Sequence, residues 1–461
     1  MDLTLGEIAD LLDTSQKLDR SFAVSGVSTD SRSMRAGMLF FALRGEHFDG
    51  HAFIDDAIQK KACGVVADRA WLAAQHAEYV SPVFPVPDPL MALQEVATYY
   101  RKKVEIPVIA VTGTNGKTTT KEMIAAVLGT KYRIVKSPGN LNNHIGVPLS
   151  ICSWNSKAEA AVMEMGANHF GEIMRLCAIA RPTHGVITNI GKGHLEFFGD
   201  LDGVVRAKGE LLEFLADSGT AFLNGDDPYL YHRKNVAKET IMYGCSSGCD
   251  VRAEDLGCDE HGFPRMRFED RIIRISVPGG FNVYNALAAV AVGRAFDISL
   301  DDMHRALEDY RTIDRRMEVF TLSGVTVLND AYNANPSSIE QSLKTLKSLA
   351  HSGRRIVVLG DMLELGDVSE KEHCQVGEWV YQMGIDIFYS VGPEMKKAAE
   401  CAKRLGMKYA HHFTSKEALI DSLVNTVREA DVVLVKGSRG MVMEAVVEGL
   451  RKGLNREAGR E

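Results

Sequence analysis

Long apolar runs are absent from these 461 residues, and none approaches the ~18 that would span a bilayer. The opening Met1-Asp2-Leu3-Thr4-Leu5-Gly6-Glu7 has neither the basic nor the apolar region of a secretory leader, so a cytoplasmic protein without membrane insertion is expected. An excess of basic charge is missing too. Lys and Arg total 53 against 61 Asp and Glu, a formal −8, which argues against a dedicated nucleic-acid partner and leaves room only for a local basic cleft. Cysteine is sparse: eight in so long a chain do not make a disulfide framework. Cys245, Cys249 and Cys258 cluster loosely near His261, but no fourth ligand stands at zinc spacing, so reduced, partly buried thiols are expected. Two nucleotide signatures are lacking as well. No asparagine is followed by lysine, which removes the Asn-Lys-x-Asp guanine motif of a regulatory GTPase. No G-x-G-x-x-G follows the first strand of the last third, which disfavours a dinucleotide oxidoreductase. Internal repeats and low-complexity segments are also missing.

What is present centres on Val111-Thr112-Gly113-Thr114-Asn115-Gly116-Lys117-Thr118-Thr119-Thr120. The apolar run from Ile106 to Val111 reads as a buried parallel strand, and Lys121 to Leu128 repeats apolar residues at helical spacing. Strand, glycine loop and helix form a phosphate cradle, in which backbone N–H groups and the helix dipole face an anion. Lys117 would reach the β- and γ-phosphates and the Thr118 hydroxyl would hold Mg²⁺. The loop is a shortened variant, G-x-x-G-K-T, because Val111 stands where the usual pattern has glycine. A nucleotide site is therefore expected.

Length suggests about three domains at roughly 150 residues each, and 45% hydrophobic content supplies several cores. An α/β protein is expected: an N-terminal α/β domain over 1–104, a central P-loop ATPase domain with a parallel sheet over 105–314, and a Rossmann-like doubly wound domain over 315–461. In the first, Phe40 to Leu43 and Gly64 to Ala67 read as strands, Ala52 to Lys61 and Pro89 to Lys102 as helices, and Val83 to Val86, broken by proline, as an edge strand or boundary. Ser28 to Arg32 and Arg44 to His51 read, taken alone, as capped loops. In the second, Gly139 to Pro148 is an asparagine-dense loop, either a ligand contact or an Asx-turn cluster. Ala160 to Met163 is a strand delivering Glu164 at its carboxyl end, placed like a Mg²⁺ ligand or a solvated carboxylate. His194 follows the strand Gly185 to Ile190, and Lys208 lies in the helix Gly203 to Leu215; sequence physics alone would not single out either. Residues 240 to 277 alternate apolar and charged positions and read as antiparallel strands, followed by a helix from Asn282 to Phe296. In the third, strands beginning at Val325, Ile356, Ile385 and Val432 alternate with four helices, as in a doubly wound parallel sheet. The loops Asn329 to Pro336, Gly360 to Met362 and Lys436 to Gly440 follow strands and should face one crevice.

At this point the residues resemble the Mur ligases of bacterial cell-wall synthesis. The resemblance runs nearly end to end: Thr-Asp-Ser-Arg (29–32), Phe-Phe-Ala-Leu-x-Gly-Glu (40–46), the cradle (112–118), Gly-Asn-Leu-Asn-Asn-x-Ile-Gly-Val-Pro (139–148), Glu-Met-Gly-Ala-Asn (164–168), Asp-Ala-Tyr-Asn-Ala-Asn-Pro-x-Ser (330–338) and Lys-Gly-Ser-Arg (436–439). The cradle is common to all such ligases and to folylpolyglutamate ligases. The 139–148, 164–168 and 330–338 stretches are particular to the branch that adds D-alanyl-D-alanine, and they disfavour the sister steps.

The resemblance implies that ATP phosphorylates the terminal carboxylate of UDP-MurNAc-tripeptide and that the amine of D-alanyl-D-alanine attacks the acyl phosphate. It implies two Mg²⁺ ions, with Thr118 and Glu164 at the first and His194 at the second, and a lysine carbamylated by CO₂ at Lys208. It implies ATP contacts along Thr112, Gly113, Thr114, Asn115, Gly116, Lys117, Thr118 and Thr119, adenine contacts at Asn285 with Asn282 nearby, and Arg316 and Asp330 reaching the phosphates and ribose. It implies substrate contacts at Ser31 and Arg32 for the UDP end, at Asn140 and Asn142 in the asparagine loop, and at Asn333, Asn335, Lys436 and Arg439 in the third domain. A monomer acting on small molecules is expected. Phe281 stands where many members have histidine, and Arg315 replaces a common glycine.

Overall fold

Val108–Thr112 is buried at all five positions because it runs through the interior of a seven-stranded sheet covered on both faces. The computed structural model that shows this describes residues 1–14, 18–46, 48–75, 79, 81–312, 315–349 and 351–458. The strand order is Val251–Arg252, Glu239–Gly244, Thr220–Asn224, His184–Ile187, Val108–Thr112, Ala160–Glu164 and Ile134–Lys136, and every pairing is parallel. Ile109 and Val111 join one core with the helices Lys117–Leu128 and Asn282–Ala295. Val108 and Ala110 join another with Pro89–Lys103, Gly146–Cys152, Glu172–Ala180 and Leu201–Phe214. Two covered faces explain why the run reads as continuously apolar rather than alternating. Glu164 pairs across from Val111, and Ile187 from Thr112, so three strands end together under the glycine loop.

The N-terminal unit is a four-stranded parallel sheet in the order Gly26–Ser28, Met38–Phe41, Gly64–Asp68 and Val83–Val86. Pro85 is tolerated because Val83–Val86 is the edge strand, as its sequence suggests. Of the Arg44 to His51 loop, His47 lies outside the described residues. The third unit is a six-stranded sheet in the order Glu318–Leu322, Val325–Asp330, Val432–Lys436, Arg355–Gly360, Ile387–Val391 and Ala410–Phe413. It is doubly wound: Pro336–Ser348, Ser369–Gln382 and Met395–Arg404 contribute to one core, and Lys416–Thr426 and Glu444–Ala458 to the other. Val432–Lys436 inserts between Val325–Asp330 and Arg355–Gly360, setting Lys436 beside both Asp330 and Leu359. That insertion brings the three strand-end loops together.

Two expectations need correction. Glu239–Gly244 and Val251–Arg252 pair parallel with the central sheet; within residues 240–277, Glu254–Cys258, Pro264–Phe268 and Arg271–Arg274 form an antiparallel sheet of their own. Alternation marks a strand with unlike faces, not the direction of its partner. The third sheet is not wholly parallel, since Glu318–Leu322 runs antiparallel at its edge. Cys245, Cys249 and Cys258 are free and partly buried, as expected, and Cys63, Cys152 and Cys177 are free as well; Cys374 and Cys401, on which the sequence gives no hint, form a single disulfide (Cα–Cα 5.5 Å) because the helices Ser369–Gln382 and Met395–Arg404 lie side by side. Among the described residues, no group of three or more His, Cys, Asp or Glu side chains gathers as a metal cage, and no helix is long and apolar enough to cross a membrane.

The first and central units are tied by Arg101, which is buried. Its guanidinium donates to the carbonyls of Ala180 (2.7 Å), Val104 (2.5 Å), Ile106 (3.0 Å) and Arg181 (3.1 Å). Arg101→Met strands these carbonyls, and a loss of about 3 kcal/mol is expected. Chemical denaturation followed by circular dichroism measures it; a change below about 1 kcal/mol would show the carbonyls to be satisfied otherwise.

Candidate active site

The cradle is held open by two close approaches. Gly113 and Gly116 have φ of 137° and 80°, and a Cβ there would meet Thr188 Oγ1 at 2.0 Å and Asn285 Oδ1 at 2.5 Å. Both demand glycine, for backbone and for space. Thr114 N–H donates to Asn189 O (3.0 Å) and Asn115 N–H to Asn189 Oδ1 (3.0 Å), while Thr188 Oγ1 donates to Asn115 O (2.6 Å). The loop is thereby pinned to the end of the neighbouring strand. Lys117 Nζ folds back onto the carbonyls of Gly113 (2.8 Å) and Thr114 (3.0 Å). Burial lowers its pKa and the nearby Arg316 charge adds to that, against the pull of Glu164. Thr112 is buried and its Oγ1 has no hydrogen-bond partner among the described residues; Thr119 is half-buried on the first helical turn.

Glu164, only 2% exposed, stands beside the first turn of the cradle helix. Its Oε2 accepts from Thr118 Oγ1 (2.7 Å), its Oε1 from Asn142 Nδ2 (2.8 Å), and Lys121 Nζ lies 3.8 Å away. Asn142 therefore reaches the centre, whereas Asn140 is exposed on its loop. Lys208 is buried with its Nζ on Ala167 O (3.3 Å) and 5.4 Å from the centre of the Phe198 ring. Burial, with the charge of Lys117 second, brings its pKa down to about 7. His194 has a left-handed backbone (φ 54°), and its Nδ1 meets Glu364 Oε2 of the third unit at 2.5 Å. That bond holds the Glu364 carboxyl below its ordinary range.

Asn282 and Asn285 are both buried and engaged internally. Asn282 Nδ2 donates to Pro278 O (2.8 Å), Asn285 Nδ2 to Asn282 Oδ1 (2.8 Å), and Thr120 Oγ1 to Asn285 Oδ1 (3.0 Å). Asn285 thus buttresses the cradle from behind Gly116. The third unit faces the loop from the other side. Asn335 Nδ2 donates to Asn115 Oδ1 (2.8 Å), while Asn335 also caps the helix Pro336–Ser348. Arg316 lies 3.8 Å over the Tyr332 ring, and Arg439 lies 5.8 Å from its centre, with Arg439 N–H on Asn333 Oδ1 (3.2 Å). Lys436 is 3% exposed, and its Nζ donates to Asp330 Oδ2 (2.5 Å) and Asn333 O (2.9 Å). It fixes Asp330 within the third unit rather than standing free in the cleft. Ser31 is buried and accepts Lys60 Nζ on its carbonyl (2.9 Å); Arg32 is exposed and pairs with Asp30 (2.7 Å), so both make these contacts within the first unit.

Sequence reasoning missed several neighbours. Glu364 and Glu372 meet His194 and Lys192 from the third unit, with Lys192 Nζ 2.6 Å from Glu372 Oε1. The Gly360 to Met362 loop pointed toward them but ends two residues short of Glu364. Tyr332 lies inside the 330–338 stretch, where the resemblance assigns it no role. Arg315 tolerates the place of glycine, at φ 64°, through a pair with Glu444 (2.8 Å), which also holds Arg439 (2.7 Å).

Three family models match the chain in sequence order: the Mur ligase family catalytic domain at residues 23–101, the Mur ligase middle domain at 111–293, and the Mur ligase glutamate ligase domain at 315–439. The UDP-N-acetylmuramoyl-tripeptide–D-alanyl-D-alanine ligase of Bacillus subtilis is 38% identical over 431 residues, 93% of each chain. The ligase of that name from Escherichia coli is 35% identical, covering 98% of this chain and 99% of its own. Among solved structures, MurF from Acinetobacter baumannii superposes with a TM-score of 0.86 at 29% identity, covering 98% of this chain and 99% of that one. MurF from Thermotoga maritima, solved in complex with ADP, gives 0.81 at 30% identity, covering 97% and 99%. Matched along nearly its whole length by proteins of one kind, and by all three domain models in order, the chain belongs to the Mur ligase family.

Proposed function

We propose that this chain uses ATP to join D-alanyl-D-alanine to UDP-MurNAc-tripeptide, giving the pentapeptide, ADP and phosphate. The observation that carries the chemistry is the Thr118–Glu164 pair at the mouth of a glycine cradle. The choice of substrates is supported by the near full-length likeness to the D-alanyl-D-alanine ligases. A carboxylate is a poor electrophile because oxide would have to leave; transferring the γ-phosphoryl to it creates a better leaving group. The dipeptide amine then attacks the acyl carbon, the C–O bond to phosphate breaks, and the amine proton leaves to a base or water.

Residue roles follow from position. Lys117, freed from its own loop carbonyls, meets the phosphates, and Arg316 adds a second cation near it. Thr118 Oγ1 and Glu164 Oε2, 2.7 Å apart, suit Mg²⁺, which takes one or two protein oxygens and completes its shell with phosphate and water. His194 and Lys208 would hold a second ion. Bound Mg²⁺ would supply charge compensation for the transferring phosphoryl group. Lys208 fits carbamylation because its amine is buried and close to half neutral near pH 7: the nitrogen lone pair bonds to the carbon of CO₂, one C–O π pair moves onto oxygen, and the nitrogen releases a proton, leaving an anionic carbamate on the side chain. In the same reading Asn285 and Asn282 border the adenine and Asp330 the ribose. Ser31 and Arg32 receive the UDP end, Asn140 and Asn142 the acyl end, and Asn333, Asn335 and Arg439 the dipeptide, with Lys436 acting through Asp330. The separate four-, seven- and six-stranded sheets support domains over 1–104, 105–314 and 315–461, and a cytoplasmic monomer is the simplest setting. Contact between central and third units excludes water from a hydrolysable acyl phosphate.

Phosphate release from ATP, with each substrate omitted in turn, tests the reading: release requires both UDP-MurNAc-tripeptide and D-alanyl-D-alanine. Equal turnover with a single amino acid in place of the dipeptide assigns the chain to a sister step. Lys208→Ala should lose about 10²–10³-fold in rate, with partial recovery on adding a short carboxylate. Since the Lys208 pKa is lowered to about 7, the amine is neutral above that pH and protonated below it. Bicarbonate stimulation of CO₂-depleted enzyme should therefore fade as pH falls below 7; stimulation independent of pH contradicts the carbamate.

A further inference from the structure

We propose that Glu364 is the positioning residue for His194 and that it makes completion of the second metal site depend on the central and third units meeting. This rests on the reading of His194 as a Mg²⁺ ligand. A carboxylate only accepts hydrogen bonds, so at 2.5 Å the ring's Nδ1 donates and Glu364 Oε2 accepts. That bond assigns the tautomer: Nε2 becomes the acceptor of the neutral ring and is left for a cation. Histidine ligands to metals commonly donate their other nitrogen to a carboxylate in this way, which orients the ring and raises its basicity.

The backbone on both sides argues that the contact is more than a surface ion pair. His194 and Glu364 have φ of 54° and 62°, left-handed conformations that are uncommon outside glycine. Such strain costs about 1–3 kcal/mol per residue and persists only where the surroundings enforce it. An exposed ion pair is worth about 0–1 kcal/mol and would not hold two strained residues face to face. The enforcing contacts are visible. Glu196 N–H donates to Glu364 O (3.2 Å), Leu363 N–H to Ser438 Oγ (2.8 Å), and Lys192 Nζ to Glu372 Oε1 (2.6 Å). Glu364 is thus braced within the third unit and presented to a loop of the central one. When the units part, His194 loses the partner that sets its ring, and its metal affinity should fall.

The test measures Mn²⁺ affinity from the EPR signal of the free ion, with a non-hydrolysable ATP analogue, UDP-MurNAc-tripeptide and bicarbonate present. The full chain is compared with Glu364→Ala, Glu364→Gln and His194→Ala, and thermal denaturation verifies that each is folded. The weaker of two Mn²⁺ sites should lose about 10–100-fold in affinity in both alanine variants, and the tighter site should stay unchanged. Glu364→Gln, whose amide oxygen still accepts from Nδ1, should recover part of the loss. If His194→Ala weakens the site and Glu364→Ala does not, the positioning role is overturned while the ligand reading stands. If neither variant weakens it, the assignment of His194 as a ligand fails, and the proposal with it.

Discussion

A carboxylate buried to 2% exposure is tolerated only if its oxygens are satisfied, and Glu164 meets that constraint by gathering the residues of the candidate site around itself. Thr118 Oγ1 comes from the cradle helix, Asn142 Nδ2 from the asparagine loop, and Ser137 Oγ receives the Glu164 N–H (2.9 Å). Lys121, wholly buried, adds a cation at 3.8 Å and ties back to the carbonyls of Ser137 (2.8 Å) and Gly139 (3.2 Å). At that separation the raw attraction is about 4 kcal/mol for an effective dielectric near 20, before desolvation is counted. The protein's own side chains fix this arrangement. A cation entering beside Thr118 finds a charge already desolvated and aimed, which is the condition under which electrostatic stabilisation is strongest.

The second dependence is between units. The cradle loop meets the third unit through Asn115 and Asn335, and the loop carrying Lys192 and His194 meets it through Glu372 and Glu364. Insertion of Val432–Lys436 between two earlier strands lets three loops of the third unit reach those contacts at once. Lys436 illustrates the division of labour: held by Asp330 and Asn333, it stiffens the loop, while Arg439 beside Tyr332 remains more exposed. Arg315 and Glu444 extend the same bracing back to the segment that joins the two units.

Much of this was legible in the residues. The cradle strand, the helix after it, the strand carrying Glu164 and the four parallel strands recognised in the third unit follow from apolar runs and glycine placement. What was not legible is what crosses between distant segments. His194 and Glu364 are 170 positions apart, Lys192 and Glu372 are 180, and neither pair leaves a local pattern. Lys208 reads as an ordinary helix lysine until its surroundings are known to be dry. The Glu239–Gly244 strand was legible as a strand, but its parallel partner is chosen by the sheet it completes. Cys374 and Cys401 lie in separate helices whose adjacency only tertiary packing decides.

The magnesium dependence of ADP binding to Glu164→Gln, read by titration calorimetry, bears most directly on the central claim. Glutamine keeps an acceptor for Thr118 and removes the charge. The wild-type chain should bind ADP more tightly with Mg²⁺ than without, and the variant equally in both conditions. A variant that retains the full magnesium enhancement would contradict the role given to this carboxylate.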